Sequence, residues 1–474
     1  MDNQVIFEKG QRGRNNSYIA KPKIDYQGIP RDFLRDSLDL PCLGELEVVR
    51  HYAGLARKNF SVDTNFYPLG SCTMKYNPKI NEYLSGLSGF CDIHPDQPQD
   101  SVQGALEVLF NLEQMLCEIT GMKRFTFQPS SGAQGELTGM LMINKCHQAN
   151  KSKRNKVIVP DSAHGTNPAT AAMCGYEIVV VPSTADGLVD IEKLKREVDE
   201  STAAIMLTNP NTLGLFEENI LDIARIIHDK GGLLYYDGAN FNPLLGITKI
   251  SLMGFDVIHL NLHKTFSTPH GCGGPGAGAV GVSERLAEFL PAPVVVKNGG
   301  KYSFDYRVKN SIGRVRSFYG NFGVLVRAYA YLLRLGSEGL LAVAQNSVIN
   351  ANYIMASLKD IYQPCSARTC MHEVVFSCVK QKERGASALD IAKRLIDFDI
   401  HPPTMYFPMI VKEALMVEPT ETESKDTLDY FIKCMRDIDK EIDADLAKLK
   451  DAPSSAAVKR VDDVKAARSP NLKW

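Results

Sequence analysis

A chain of 474 residues is longer than one ordinary hydrophobic core supports, so a large and a small domain are expected. Lys and Arg number 54 against 55 Asp and Glu, a balance that argues against nucleic acid or an anionic membrane as the main partner. No apolar run reaches the roughly 18 residues of a membrane span, and the first residues lack the apolar stretch of a signal peptide. Eleven Cys scattered without a CxxC pair read as reduced thiols and exclude a disulfide frame, so a cytoplasmic protein is expected.

Taken in order, residues 1–100 read as an N-terminal segment in which Pro22, Pro30 and Pro41 break up long elements. The stretch Phe66 to Pro78, FYPLGSCTMKYNP, is rich in turn residues and reads as an ordered loop. Ser101 to Thr120 places Val102, Leu106, Leu109, Leu112 and Leu116 on one helical face. From Phe125 an alternation begins: a short strand, then a helix from Ser130 to about His147. Strands follow at Lys156 to Pro160, Glu177 to Pro182, Ala203 to Thr208, Leu233 to Tyr236 and Val257 to Leu262. Between them lie helices at Asn167 to Cys174, Ile191 to Asp199 and Asn219 to Lys230. This predicts an α/β domain over 101–320 with a mostly parallel sheet covered on both faces, Ala279 to Val282 returning as a neighbouring strand. Helices at Val324 to Leu335 and around Leu340 to Leu358 lead into a smaller α/β domain over 321–450. Its strands fall at Glu373 to Cys378, near Met405 and near Leu415, and its helices at Ala388 to Phe398 and Lys425 to Leu449. The tail, 451–474, is rich in Ala, Ser and charge and is expected to wrap over the surface.

Lys264 follows the buried-strand run, and five of the eight residues from Gly271 to Gly278 are glycine. A surface lysine needs no such setting. A lysine that forms a Schiff base with a planar cofactor does, because desolvation lowers its pKa and glycine lets backbone pass close by. Ligands of open α/β sheets sit beyond the carboxyl ends of the strands. Those ends carry, in chain order, Ser130-Ser131-Gly132-Ala133-Gln134, then His164, Asn209, Asp237 with Asn240, and Lys264. Hydroxyls and free N–H groups at a helix start suit a phosphate. A buried acid at Asp237 needs a cation, which a pyridinium N–H supplies, and His164 is placed to cover the ring. Together these point to pyridoxal 5'-phosphate. Gly271 to Gly276 matches GxGxxG, but a strand-like run and not a helix follows, which disfavours a dinucleotide. His259, His263 and His270 invite a metal site, yet no HExxH, Cys pair or clear carboxylate ligand accompanies them, so no metal is expected.

LHKTFSTPHGCGGPGAG, FYPLGSCTMKYNP, FQPSSGAQGE, HGTNPA, LTNPNTLG, YYDGANFN and VEPTETESK resemble the pyridoxal-phosphate-dependent glycine dehydrogenases (decarboxylating), the P-proteins of the glycine cleavage system. The resemblance covers nearly the whole chain, and the length is similar to that of the second subunit of the two-subunit bacterial form. Cys272 stands where that family usually has Gly, and Ala279 where Pro is common. The resemblance implies a fold type I pyridoxal-phosphate enzyme with Lys264 as the Schiff-base lysine, Asp237 at the ring nitrogen and His164 stacked on the ring. It further implies Ser130, Ser131 and the Gly132 to Gln134 backbone at the phosphate with help from His263, Asn209 at the ring hydroxyl, and Asn240 nearby. Tyr67, Ser71, Cys72 and Lys75 are the expected lining of a substrate channel. The implied reaction is decarboxylation of glycine with transfer of the aminomethyl group to the lipoyl group of the H-protein, by an α2β2 assembly with a homologous first subunit. Two alternatives stand beside it. One is another fold type I catalyst, such as a cysteine desulfurase or amino-acid decarboxylase, although nothing resembles a mobile catalytic Cys loop. The other is a non-catalytic scaffold subunit, which could dispense with Lys264.

Overall fold

Two sets of apolar side chains alternate along the central strands, and each set has its own core. Ile158, Ile205, Leu207, Leu234, Tyr236, Ile258 and Leu260 pack with residues of helices Gln103–Thr120 and Ile220–Asp229. Val157, Val159, Ala204, Met206, Leu233, Tyr235 and Val257 pack with residues of helix Gly132–Ala149. A period of two with both phases apolar is what a sheet buried on both faces requires. The computed structural model describes residues 4–10, 28–38, 40–270 and 276–472. The reading of the Gly-rich loop at 271–275, Cys272 included, lies outside the described residues.

The strands are β1 (Arg124–Thr126), β2 (Lys156–Pro160), β3 (Glu177–Val181), β4 (Thr202–Thr208), β5 (Leu233–Gly238), β6 (Val257–Asn261) and β7 (Gly278–Val282). They form one seven-stranded sheet in the order β1-β7-β6-β5-β4-β2-β3. Strands β2 to β6 are parallel, and β7 returns antiparallel between β6 and β1. Ala279 sits inside β7 opposite Leu260, where its N–H is available to the ladder as a proline's would not be. The connections leave β2 in one direction and β4 in the other, so a crevice opens at the carboxyl ends of these strands.

After a hairpin of β8 (Val294–Asn298) and β9 (Lys301–Asp305), helix Phe322–Leu358 runs on with a break at Gly336 (φ 59°, ψ −169°). That break separates the two helices expected there. The smaller sheet orders β10 (Gln363–Pro364), β11 (Val374–Ser377), β13 (Ala414–Val417) and β12 (Thr404–Met405), all antiparallel. Phe376, Leu415, Ile391, Phe431 and Met435 form its core with helices Ala388–Ile396 and Lys425–Ala444. The closing helix expected to reach Leu449 stops earlier. Asp445, at φ −158°, leaves the helix and caps Leu446–Asp451 by accepting from Lys448 N.

The chain divides into two compact units, Val62–Ala452, which holds both sheets, and Met1–Ser61 with Pro453–Trp474. The second unit corrects the expectation that prolines break up its length, because Glu45–Ala56 is a 12-residue helix. All three prolines precede residue 42, and the Gly44 N–H donates to Glu47 Oε2 at 2.9 Å to start the first turn. Among the described residues no helix is long and apolar enough to cross a membrane.

Candidate active site

The carboxyl ends of β5 and β6 deliver two opposite charges. Beyond β6 a single turn, Leu262–Thr265, carries Lys264, whose Nζ donates to the carbonyl of Ser71 at 2.8 Å. Asp237, near the end of β5, is buried. Its Oδ2 accepts from Asn167 Nδ2 (2.9 Å) and its Oδ1 from the Ala239 N–H (3.0 Å). The parallel register sets His259 beside it, with Nε2 3.4 Å from Asp237 Oδ1. Tyr235 Oη lies 2.8 Å from His259 Nδ1, so with the phenol as donor the imidazole proton sits on Nε2, facing the acid. Burial opposes ionisation of Asp237, yet His259, the two hydrogen bonds and Lys264 together hold its carboxyl below the usual range. Glu136 behind it behaves oppositely: burial and the Asp237 charge push it up to about 8. One carboxylate is charged because the other is not.

The anion cradle depends on how close a helix can come to the sheet. In helix Gly132–Ala149, Gly135 and Gly139 face β5 and β6, and a Cβ at Gly139 would lie 2.4 Å from Tyr235 Cε2 and 2.9 Å from Val257 Cγ1. With no side chain there, the helix start settles beside Asn261, the last residue of β6. Ser131 stands at the N-cap but its hydroxyl caps nothing, and the Ser130 N–H donates to Gln134 Oε1 at 2.6 Å. The first-turn N–H groups, including those of Gly132 and Ala133, have no intrahelical partner by geometry. Asn321 Nδ2 ties this turn to the far end of the Gly-rich loop by donating to Ser130 O (3.2 Å) and Gly276 O (2.5 Å). His263 packs on that loop, where a Cβ at Gly276 would lie 2.2 Å from its Nδ1. Burial, His270 and Lys264 push His263 down to about 3, and burial and Lys264 push His270 down to about 4, so both imidazoles are neutral.

His164 follows β2 with an exposed ring, edge-on to Phe407 at 5.7 Å. Its Nδ1 lies 2.9 Å from Thr166 Oγ1, which in turn donates to Glu136 Oε1 at 2.8 Å. Asn209, expected at the cofactor, spends its side chain elsewhere. Its Oδ1 accepts from the Glu217 N–H (2.9 Å) and its Nδ2 faces Met253 Sδ (4.0 Å). Asn240 donates to Pro210 O at 3.0 Å and keeps a buried Oδ1 without a partner. Of the expected channel residues, Ser71 and Cys72 reach the Lys264 side, and Ser71 (φ 65°) holds left-handed backbone. Tyr67 is stacked on His401 at 3.6 Å. Lys75 lines no open channel, because its buried Nζ is bound by Glu421 and Asn242 (2.8 Å each) and Tyr331 (3.2 Å). The loop is thus clipped to the body by a buried ion pair.

Sequence reasoning missed Asn167, Glu136 and Asn321, along with His372, Glu373 and Glu418 against the loop, and it weighed His259 only as a packing or cofactor-contact histidine without foreseeing its place beside Asp237. Asn167 and Glu136 lie within the HGTNPA and FQPSSGAQGE stretches singled out above, so their neighbourhood was legible although their contacts were not. The residues present suit the cofactor inferred from the strand ends. Thr208 Oγ1, Asn240 Oδ1 and Asn261 Oδ1, at the ends of three adjacent strands, are buried polar atoms without a hydrogen-bond partner. Buried polar groups are rarely left so unless a ligand completes them.

Fold and site together define a fold type I pyridoxal-phosphate enzyme. Residues 26–301 match the family model of the glycine cleavage system P-protein, and residues 343–459 match the glycine dehydrogenase C-terminal domain. The chain is 52% identical over 480 residues to a probable glycine dehydrogenase (decarboxylating) subunit 2 of Caldanaerobacter subterraneus subsp. tengcongensis, covering 100% of this chain and 99% of that protein. It is 55% identical over 478 residues to the protein of the same name from Listeria innocua, covering 99% and 98%. Among solved structures it is similar to a glycine decarboxylase (P-protein) of the glycine cleavage system in inhibitor-bound form, at TM-score 0.72 and 20% identity, covering 87% of this chain and 93% of that one. The fold is also similar to that of Lactobacillus brevis glutamate decarboxylase, at TM-score 0.64 and 15% identity, covering 86% and 96%. The chain belongs to the P-protein family of the glycine cleavage system.

Proposed function

We propose that this chain decarboxylates glycine as the cofactor-bearing second subunit of a two-subunit P-protein and passes the aminomethyl group to the lipoyl group of an H-protein. The observation that carries the reading is Lys264 and an ionised, buried Asp237 at the ends of adjacent strands, in a chain matched end to end by proteins named glycine dehydrogenase (decarboxylating) subunit 2. When bound, pyridoxal phosphate supplies an electron sink for the pair left on carbon as CO2 departs.

The residues divide that work. Lys264 Nζ is the amine that holds the cofactor covalently, and the Ser71 carbonyl fixes where that amine sits. Asp237 keeps a proton on the ring nitrogen, and Asn167 and the Ala239 N–H keep Asp237 oriented and charged. Ser130, Ser131 and the backbone of Gly132 to Gln134 hold the phosphate, with the neutral His263 beside the closing loop. His164 covers the ring face, and the free Oδ1 of Asn240 is the acceptor for the ring hydroxyl, with Asn209 bracing the loop behind it. Ser71 and Cys72 line the approach of glycine.

The assembly is an α2β2 complex in the cytoplasm with a homologous first subunit, visited by the lipoylated H-protein. Helix Glu45–Ala56 supports a permanent partner, because Leu46, Val49, Tyr52 and Leu55 are all exposed along it and none of its residues is buried. The test is exchange of labelled CO2 into glycine by the purified chain, with and without the first subunit and H-protein. The chain alone should bind cofactor yet exchange poorly. Full exchange by a stable homodimer, unchanged on adding the first subunit, would overturn the partner assignment.

A further inference from the structure

Against the Ser71 loop, the smaller sheet brings three ionisable side chains together in a dry place. His372 and Glu373 immediately precede β11, Glu418 immediately follows β13, and all three are 0% exposed. The antiparallel register pairs Val374 with Val417, which puts Glu373 and Glu418 at the same end of the two strands. Each glutamate holds part of the loop. The Ser71 N–H donates to Glu373 Oε2 at 2.9 Å, and Thr73 donates to Glu418 through its N–H (2.9 Å) and hydroxyl (2.6 Å). Ser71 and Thr73 have φ of 65° and 48°, so the carboxylates hold two non-glycine residues in left-handed backbone. Asn240 Nδ2 lies 3.4 Å from Glu373 Oε1. His372 Nε2 stands 3.9 Å from both Glu373 Oε1 and Glu418 Oε1, and neither of its ring nitrogens has a hydrogen-bond partner. Gly214 (φ 75°) makes the close packing possible, because a Cβ there would come 2.1 Å from Glu373 O.

Two carboxylates this close and this dry do not both ionise. Burial and the Glu418 charge push Glu373 well above the usual range, and burial raises Glu418 to about 7 against the pull of Thr73 and Lys264. Burial pushes His372 down to about 3, so the imidazole adds no charge. Further titratable neighbours are Lys264, Cys72, Cys365, Cys370 and Glu421, the last ion-paired with the buried Lys75, so Lys264 is the cation that acts on both Glu373 and Glu418. Ser71 joins the two halves: its N–H is held by Glu373 and its carbonyl by Lys264 Nζ.

Resting on the reading of Lys264 given above, we propose that His372, Glu373 and Glu418 are positioning residues that form a one-proton, one-negative-charge counter-ion for the Lys264 nitrogen, coupled to it through the backbone of Ser71. The two glutamates together hold one proton, the remaining negative charge balances the positive nitrogen, and the neutral His372 stands beside both without adding a charge. A cluster that merely held the loop would need its hydrogen bonds but not its charge. Glutamine separates the two, since its one carbonyl oxygen still accepts from the Ser71 or Thr73 N–H, the Thr73 hydroxyl can turn to accept from the amide NH2, and the ionisable oxygen is gone.

The experiment is a spectrophotometric pH titration of the lysine-bound cofactor band in the holoenzyme, for wild type, E373Q, E418Q and the double variant E373Q/E418Q. In either single variant the surviving carboxylate ionises once its neighbour is neutral, so the midpoint stays close to wild type. The double variant loses the charge, and its midpoint falls by about one pH unit or more, a tenfold loss of proton affinity. A double variant with the wild-type midpoint, or a single variant shifted as far as the double, overturns the proposal. A second measurement needs neither cofactor nor the double variant. In the apo protein, K264M removes the positive partner, so the loss of urea stability between about pH 6 and about pH 8.5 should be larger than in wild type, because the buried negative charge then has no balance. Equal losses overturn the proposal as well. A wild-type holoenzyme without a visible band, or a band retained by K264A, would instead count against the cofactor reading of Lys264.

Discussion

Asp237→Asn tests the electron-sink half of the site. The carboxylate is buried, takes hydrogen bonds from Asn167 Nδ2 and the Ala239 N–H, and shares its surroundings with a Glu136 that is held protonated partly by its charge. An amide in its place can still accept from Ala239, but its NH2 then meets the Asn167 NH2, donor against donor. Removing one partner of a buried ionic contact costs about 3–5 kcal/mol. At about 1.4 kcal/mol per decade, that is two to four orders of magnitude in any step that depends on the protonated ring. Cofactor affinity should fall much less, because Lys264, Ser130, Ser131 and the helix N–H groups remain. The assay pairs glycine–CO2 exchange, run with the first subunit and H-protein present, with a cofactor titration of the apo protein. Equal losses in both, each under about tenfold, would refute the reasoning and leave Asp237 a structural residue.

Lys264→Ala should abolish the visible band of the lysine-bound cofactor without altering the far-ultraviolet circular dichroism, and an unchanged band would remove Lys264 from its role. Gly139→Ala places a Cβ 2.4 Å from Tyr235 Cε2 and should cost about 1–3 kcal/mol in urea unfolding. Gly104→Ala, where a Cβ meets nothing within 4 Å in the exposed turn of another helix, should be neutral or stabilising by about 0.5–1 kcal/mol, and equal effects at the two positions would contradict the close approach of helix and sheet. Glu136, at about 8 when folded against an ordinary 4.5, binds a proton in the folded state that the unfolded chain has lost, so stability falls as pH rises through that window. Glu136→Gln should flatten the fall, measured as urea midpoints on the apo protein, and an unchanged slope would place the proton elsewhere.

Much of the fold is written locally. Leu233 to Tyr236 reads as a strand because apolar side chains fill both phases of the two-residue period, Val257 to Leu262 because it is a largely apolar run without a breaker, and the break between two helices at Gly336 falls where the apolar spacing is interrupted. The hairpin of β8 and β9 was missed although Gly299-Gly300 between two strand-like runs is a two-residue turn signal. The helix Glu45–Ala56 was missed because prolines that all precede it were allowed to count against it. The strand-end residues could be read from order alone, since a parallel sheet sends every carboxyl end to one edge: Ser130, His164, Asp237 and Lys264 follow from strand position. What those side chains do there does not follow. Asn209 and Asn240 occupy similar loops after adjacent strands, and only packing shows that one is held by Glu217 and Met253 while the other keeps a free oxygen.

The chain by itself determined the strands and helices of the central sheet, that Lys264 and Asp237 meet at one sheet edge, and the cofactor chemistry this implies, because those facts depend on periodicity and connection order. Only the tertiary structure decided that Lys75 is a buried clip to Glu421, and that Glu373 and Glu418 close on the loop holding Lys264. Burial and long-range register settle these, and neither is encoded near the residues concerned. The stretch Met371 to Val375 reads like any strand lead until β13, some forty residues on, sets Glu418 beside it and removes the water that would have kept both acids ordinary.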